Sequence, residues 1–299
     1  MKPTFIGLGA QKCASTWLHR VLETHPEVRL PQVKEVDFFS YHFDHGYQWY
    51  ERQFEIEGKP SGNCTGEISP SYFHDPAVPH RVRGYCPSAR LLVTLRDPVE
   101  RAVSNHKHEV RLGHFTGDDL SFEAGLCNNP MYVEQGRYAK HLGNWLSHFP
   151  RDQIYVALMD DIRNEPDRVA WEVFRFLGID ETFQSEAVTV HFNTSFANRS
   201  QRLVRVKDRI YQWSQSPGMG WLWSTATGMG ARDVYRRLNI VDSEQIIPPI
   251  RPSTLRDLRN LFAPDIRQLE SLLERNLSHW LCHEDAGDYE THLSRGVHI

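Results

Sequence analysis

The sequence predicts an α/β protein: a central parallel sheet flanked by helices in a single domain over residues 1–282, with a basic, aromatic lid-like insertion at about 192–250 and a polar tail at 283–299. Three observations predict it. Phe5-Ile6-Gly7-Leu8 is an apolar run of strand type that breaks into a Gly-containing turn, and an amphipathic segment follows with Trp17, Leu18, Val21 and Leu22 on one face. Residues 91–95 and 154–158 are apolar runs with the shape of buried parallel strands, each preceding a helical pattern. A chain of 299 residues, finally, has the length to bury one large core with elaborations.

After the first helix, Thr24-His25-Pro26 ends the apolar periodicity, and Val28-Arg29-Leu30-Pro31 reads as a short strand closed by proline. An aromatic segment follows at 41–54, where Tyr47, Trp49, Tyr50 and Phe54 read as helix core. Glu35 lies between that short strand and the Phe38-Phe39 pair, a setting that predicts partial burial, a raised pKa and suitability as a general base. Residues 65–73 read as a strand end running into a turn punctuated by Pro70.

The strand at 91–95 leads to Arg96, after which Asp97 is a predicted helix N-cap, Pro98 the first helical residue, and Glu100 the partner that completes a capping box. Ser104 falls about two turns further on, so that Arg96 and Ser104 are placed to face one anion from the carboxyl edge of the sheet. The simpler reading of Arg96 is an ion pair with a nearby acid. Residues 106–129 read as a surface excursion in which His106, His108 and His114 are solvated, since no flanking carboxylate or Cys completes a ligand set.

A helix opening at Gln135-Gly136-Arg137-Tyr138 carries Leu142, Trp145 and Leu146 and closes at Phe149-Pro150. Beyond the strand at 154–158, Asp160 and Asp161 read as a loop and cap, and 166–178 as a helix with Val169, Val173, Phe174 and Leu177 inward and Gly178 as its stop. From 192 to 237 arginines outnumber acids and Trp and Gly are interleaved, the composition of a lid over a polyanion or an acceptor. Residues 255–280 predict two core helices, the second starting at Pro264.

Composition excludes several classes. A net charge of −4 and the lack of a base-reading motif argue against a nucleic-acid partner. Five cysteines, Cys13, Cys64, Cys86, Cys127 and Cys282, form no C-x-x-C pair, which disfavours a disulfide framework or a zinc ribbon and fits a reducing compartment. There is no secretory h-region and no apolar run long enough to span a membrane. Strand-like residues begin almost at Met1, so a soluble cytoplasmic protein is expected in preference to a lumenal domain of a longer, membrane-anchored chain.

The turn after the first strand is an anion cradle: backbone N–H groups and the positive end of a helix converge there, and Lys12 adds a full charge. It is P-loop-like but not a Walker A loop, which needs Gly before the Lys and Ser or Thr after it. Gln11 and Cys13 hold those places. The hydroxyl that would ligate Mg²⁺ is therefore missing, which leaves a P-loop kinase or NTPase as a second reading and a non-catalytic nucleotide-binding protein as a third.

Lys12 followed by Ser15-Thr16-Trp17-Leu18 resembles the 5′-phosphosulfate loop of the sulfotransferases that use 3′-phosphoadenosine 5′-phosphosulfate (PAPS). Arg96-Asp97-Pro98, then Arg101-Ala102 and Ser104, resembles the 3′-phosphate motif of the same family, in the expected order and about eighty residues on. Glu35 to Phe39, Trp49-Tyr50 and Gly66 to Phe73 narrow the resemblance to the branch of heparan sulfate 3-O- and N-sulfotransferases and their bacterial relatives, over roughly 5–280. The resemblance implies a parallel sheet flanked by helices, PAPS as donor, the desulfated nucleotide PAP as product, and no metal. It implies Glu35 as catalytic base and Lys12 at the leaving oxygen. Donor binding falls to Gln11, Lys12, Cys13, Ala14, Ser15, Thr16, Trp17, Arg96, Ser104, Tyr138 and, from a late basic loop, Arg199 and Ser200. Asp37, Phe39, Ser69 and Tyr72 fall on the acceptor side, for a hydroxyl or amine of a carbohydrate, lipid or other small molecule. Departures lie on that side too: Ile68 and Asp37 stand where animal members often carry Lys and can carry His, and paired C-terminal cysteines are missing.

Overall fold

The computed structural model describes residues 2–55, 64–189, 196–198, 209, 240–242 and 245–282. Five strands, β1 (Phe5–Gly9), β2 (Val28–Arg29), β3 (Cys64–Ile68), β4 (Arg90–Leu95) and β5 (Ile154–Leu158), form one sheet in the order β2-β3-β1-β4-β5. Every pairing in it is parallel. All residues of β1 and β3 are buried, as befits strands covered on both faces, which explains their uninterrupted rather than alternating apolar pattern. The helices with described bounds are α1 (Ser15–Thr24), α2 (Tyr47–Arg52), α3 (Val78–Tyr85), α4 (Pro98–Leu112), α5 (Phe122–Asn128), α6 (Met131–Glu134), α7 (Tyr138–Leu146), α8 (Met159–Asn164), α9 (Pro166–Leu177) and α10 (Pro252–Leu273).

The chain divides into two compact units. The first (Met1–Arg101, Val133–Asn193 and Arg256–His283) contains the sheet. In its core, Trp17, Leu18, Val21 and Leu22 of α1 meet Val169, Val173, Phe174 and Leu177 of α9 together with Phe5, Ile68 and Leu92 from the strands. Gly178 takes the left-handed conformation, φ 66°, and stops α9 by donating its N–H back into the last turn. The chain leaves β1 toward β2 and β3 on one side and leaves β4 toward β5 on the other. The crevice at the carboxyl ends of β1 and β4 is thus the topological switch point, where open parallel sheets place their ligands.

The second unit is Ala102–Tyr132, Thr194–Leu255 and Glu284–Ile299. In it a short strand β6 (Phe196–Asn198) pairs antiparallel with β7 (Ile240–Asp242). The predicted surface excursion is corrected here. The helix begun at Pro98 continues to Leu112, α5 follows, and His106 is buried, with Nδ1 3.1 Å from the Tyr132 hydroxyl and Nε2 2.9 Å from the Leu120 carbonyl. Phe115, Phe122 and Tyr132 surround its ring, so this polar-looking stretch builds a small aromatic core of its own. His114, by contrast, is exposed and paired with Glu109.

Two further expectations change in the first unit. Pro264 lies inside the single helix α10 rather than at the start of a second one. Leu258, Phe262, Ile266, Leu269 and Leu273 make one buried stripe on both sides of it, and packing of that stripe outweighs the hydrogen bond that the proline cannot donate. Asp160 and Asp161 belong to the first turn of α8, not to a loop: Asp161 accepts two bonds from Arg275 and Asp160 one from the Trp280 indole. Most of the lid-like segment at 192–250, with Arg199 and Ser200, and the tail at 283–299 lie outside the described residues.

Candidate active site

The Lys12 loop starts where β1 has to bend. Gly9 has φ 105°, and a Cβ there would stand 2.8 Å from the Pro70 backbone, so only glycine lets the chain pass over the short 3₁₀ turn Pro70–Tyr72. The Ala10 N–H then donates to the Thr94 carbonyl at 2.8 Å, which fastens the loop to β4. Lys12 (φ 63°) and Ala14 (φ 66°) are both left-handed, a conformation that costs a side-chain-bearing residue about 1–2 kcal/mol. Strain of this kind persists where the surrounding structure fixes a functional turn. Ala14 opens α1 without a side-chain cap, and the N–H groups of Ser15, Thr16 and Trp17 have no acceptor within the helix. They and the half-buried Lys12 are the groups that the sequence assigns to the cradle.

Not every residue assigned to the donor offers its side chain. Cys13 is enclosed, its thiol 3.6 Å from the Tyr138 hydroxyl, and burial pushes that thiol up from its ordinary pKa. Tyr138 is likewise fully buried, and the Trp17 indole donates to the Val188 carbonyl at 3.0 Å inside the core. The side chains of Cys13 and Trp17 are therefore turned into the core, and only their backbone groups belong to the loop surface. Gln11 and Thr16 are half-buried, and Ser15 is nearly enclosed.

At the end of β4 the simpler reading of Arg96 is realised: its buried guanidinium places Nε and Nη2 each 2.7 Å from Glu100 Oε2. The N-cap is Asp97, as expected, its Oδ1 accepting from the Val99 and Glu100 N–H groups at 2.7 and 3.1 Å. The capping box does not close in the predicted way, because the Glu100 carboxylate is drawn to Arg96 and, at 3.3 Å, to Arg163. Burial opposes ionisation there, yet these two cations hold Glu100 below its ordinary value. Ser104 is half-buried and belongs to the second unit.

Glu35 departs from expectation in one respect. It is not buried beside the Phe pair but 41% exposed, because Val36, Phe38 and Phe39 turn into the core while left-handed backbone at Glu35 (φ 64°) and Asp37 (φ 53°) turns the acids outward. Its Oε1 lies 3.0 Å from Lys34 Nζ, and the same ammonium donates to Thr16 Oγ1, also at 3.0 Å. The carboxylate is thereby fastened to the first turn of α1. Asp37 is half-buried, and burial, with the Glu35 charge adding and a hydrogen bond from Ser71 opposing, raises its pKa.

Beneath this loop sits a carboxylate for which the motif suggested no role. Glu67 is 1% exposed in the middle of an otherwise uncharged strand and accepts from the hydroxyls of Tyr50 (2.9 Å), Tyr72 (2.7 Å) and Ser69 (2.6 Å). Burial raises its pKa to about 7 in spite of these three bonds. Ser69 in turn accepts from the Asp37 N–H at 2.9 Å, and the Tyr72 hydroxyl accepts from the Phe39 N–H at 3.2 Å. Phe39, Ser69 and Tyr72, assigned by resemblance to the acceptor, are fully enclosed and hold up the loop that bears Glu35 and Asp37. The signal in the sequence was the charge itself, since an acid in a doubly covered strand needs built partners. Among the described residues no group of three or more His, Cys, Asp or Glu is placed to hold a metal ion, and no helix is long and apolar enough to cross a membrane.

Comparison with known proteins agrees with this fold. The family model for the sulfotransferase domain matches residues 2–220. The bifunctional heparan sulfate N-deacetylase/N-sulfotransferase 4 of Mus musculus is 30% identical over 210 residues, 62% of this chain and 24% of that protein. The human heparan sulfate glucosamine 3-O-sulfotransferase 3B1 is 33% identical over 183 residues, 59% of this chain and 46% of that one. The chain thus spans less than half the length of these curated relatives. Among solved structures, a sulfotransferase from Alicyclobacillus acidocaldarius shares the fold, with a TM-score of 0.66 at 24% identity over 94% of this chain and 99% of that chain. With strand, cradle and family model in agreement, the chain belongs to the sulfotransferase family, a family of transferase enzymes.

Proposed function

We propose that the protein moves the sulfuryl group of PAPS, in line and without a metal, to a hydroxyl or amine of a carbohydrate or small-molecule acceptor, releasing PAP. The observation that supports this reading is the tether of an exposed carboxylate, Glu35, through Lys34 to the first turn of α1, next to the Lys12 loop. Lys12 and the first-turn N–H groups neutralise the charge that grows on the phosphate oxygen as its bond to sulfur breaks. Glu35 removes the proton of the acceptor as the new bond to sulfur forms, and the cradle and the base together hold the reacting groups in line. Arg96 and Ser104 are assigned to the 3′-phosphate by motif, as are Arg199 and Ser200 to a late loop. For Arg96 this means exchanging Glu100 for phosphate. Asp37 lines the acceptor side, and Phe39, Ser69 and Tyr72 support it from below.

A kinase or NTPase reading draws no support from the loop, where a buried Cys13 stands in the place of the hydroxyl that would ligate Mg²⁺. All five cysteines are free thiols, in keeping with a cytoplasmic setting. Incubation with sulfur-labelled PAPS and separate panels of carbohydrate, lipid and phenolic or aliphatic acceptors tests the reading. Label is expected on one class in the presence of EDTA, and PAP should accumulate in equal amount. Labelled product that appears only with added divalent metal contradicts it.

A further inference from the structure

Lys34 carries no role in the motifs that identify the donor loop or the base, yet it is the group that joins them. Its ammonium donates to Thr16 Oγ1 and pairs with Glu35 Oε1, each at 3.0 Å, while the side chain remains 34% exposed. Among the described residues Glu35 has no other ion-pair partner. It is exposed, and its left-handed backbone is a conformation that an L side chain rarely adopts without support from its surroundings. The next residues along the loop are fixed from below, Asp37 by Ser69 and Phe39 by Tyr72, whereas the Glu35 carboxylate is fixed from the side of α1.

We infer that Lys34 is a positioning residue for the transfer step, holding the Glu35 carboxylate over the mouth of the Lys12 cradle so that an acceptor proton and the sulfur are addressed from one place. The inference rests on the proposed function. Lys34 acts through Glu35 and through Thr16, so its loss disturbs the alignment in the transition state more than the binding of the donor. Alignment of that kind appears in kcat rather than in KM.

Lys34→Met, Lys34→Arg and Thr16→Val are compared with the wild type in steady-state PAPS kinetics, PAP titrations and thermal melting. Lys34→Met is expected to lower kcat at least tenfold with KM for PAPS and the Kd of PAP changed by less than about threefold. Thr16→Val should lower kcat in the same direction by less, and Lys34→Arg, which keeps the charge, should restore most of it. Melting temperatures of the Lys34 variants should stay within about 2 °C of wild type, as for loss of a partly exposed ion pair. A kcat unchanged in Lys34→Met overturns the inference and leaves the proposed function standing. A tenfold weaker PAP affinity with kcat retained also overturns it, because Lys34 would then be a donor ligand. A wild type that neither binds PAP nor turns over PAPS overturns the functional reading, and this inference with it.

Discussion

Two carboxylates in this molecule sit in opposite environments, and their variants should behave oppositely. Glu35 is exposed and beside the cradle; Glu35→Gln keeps the shape and removes the base. Turnover is expected to fall by about 10²–10⁴, the usual contribution of a positioned base, with PAP affinity retained. Near-normal turnover in that variant removes Glu35 from the mechanism. Glu67 is enclosed, and its pKa of about 7 lies above the ordinary 4.5. The folded state therefore keeps a proton that the unfolded chain has lost between these values. Its contribution to stability is complete below the ordinary value and is lost as pH rises through about 7, by about 3 kcal/mol in all. Glu67→Gln lacks this loss, so denaturant midpoints at pH 5 and pH 8 should show the variant gaining on wild type as pH rises. An equal difference at both pH values contradicts the assignment. Of these two acids the sequence marked Glu35, though for burial it does not have, since a left-handed turn cannot be read from Lys34-Glu35-Val36-Asp37. Glu67 was missed because its three hydroxyl partners come from α2, from its own strand end and from the turn after it, and only the fold gathers them.

At the scale of elements, the cradle depends on how β1 ends. Gly9→Ala sets a Cβ 2.8 Å from the Pro70 backbone at a φ of 105°, so something in the loop has to shift. The expected result is a protein that still melts cooperatively but binds PAP at least tenfold more weakly; unchanged PAP affinity means that the loop geometry does not make the site. Strands β1, β4 and β5 and helices α1 and α9 were legible because each is a long apolar run or a clean helical stripe with a stop signal, such as Gly178. The continuity of α10 through Pro264 was not legible. Local propensity places a break there, and the buried stripe that prevents it is a tertiary fact. His106 hid its role for the same reason: it reads as solvated until Phe115, Phe122 and Tyr132 close around it.

For the molecule as a whole, the parallel sheet with its switch point at β1 and β4 brings the Lys12 loop and Arg96 to one edge, an arrangement that the order of the two motifs had implied. The C-terminal helix is fastened to that edge by a buried ion pair, Arg259 to Asp97 at 3.2 Å, although burial still raises the Asp97 pKa against it. Arg259→Met strands an acid beside Arg96 and should cost about 3–5 kcal/mol of stability in denaturant unfolding. A loss below about 1 kcal/mol shows that the pair does not support this edge. The central claim is that the spoiled Walker frame at Lys12 is a donor site for PAPS, and ligand-dependent melting tests it most directly. In EDTA, PAP at about a hundred times its Kd should raise the melting temperature of the wild type by about 5 °C or more, and Lys12→Ala should abolish the shift. A shift produced only by ATP with Mg²⁺, or a PAP shift that survives in Lys12→Ala, contradicts the account.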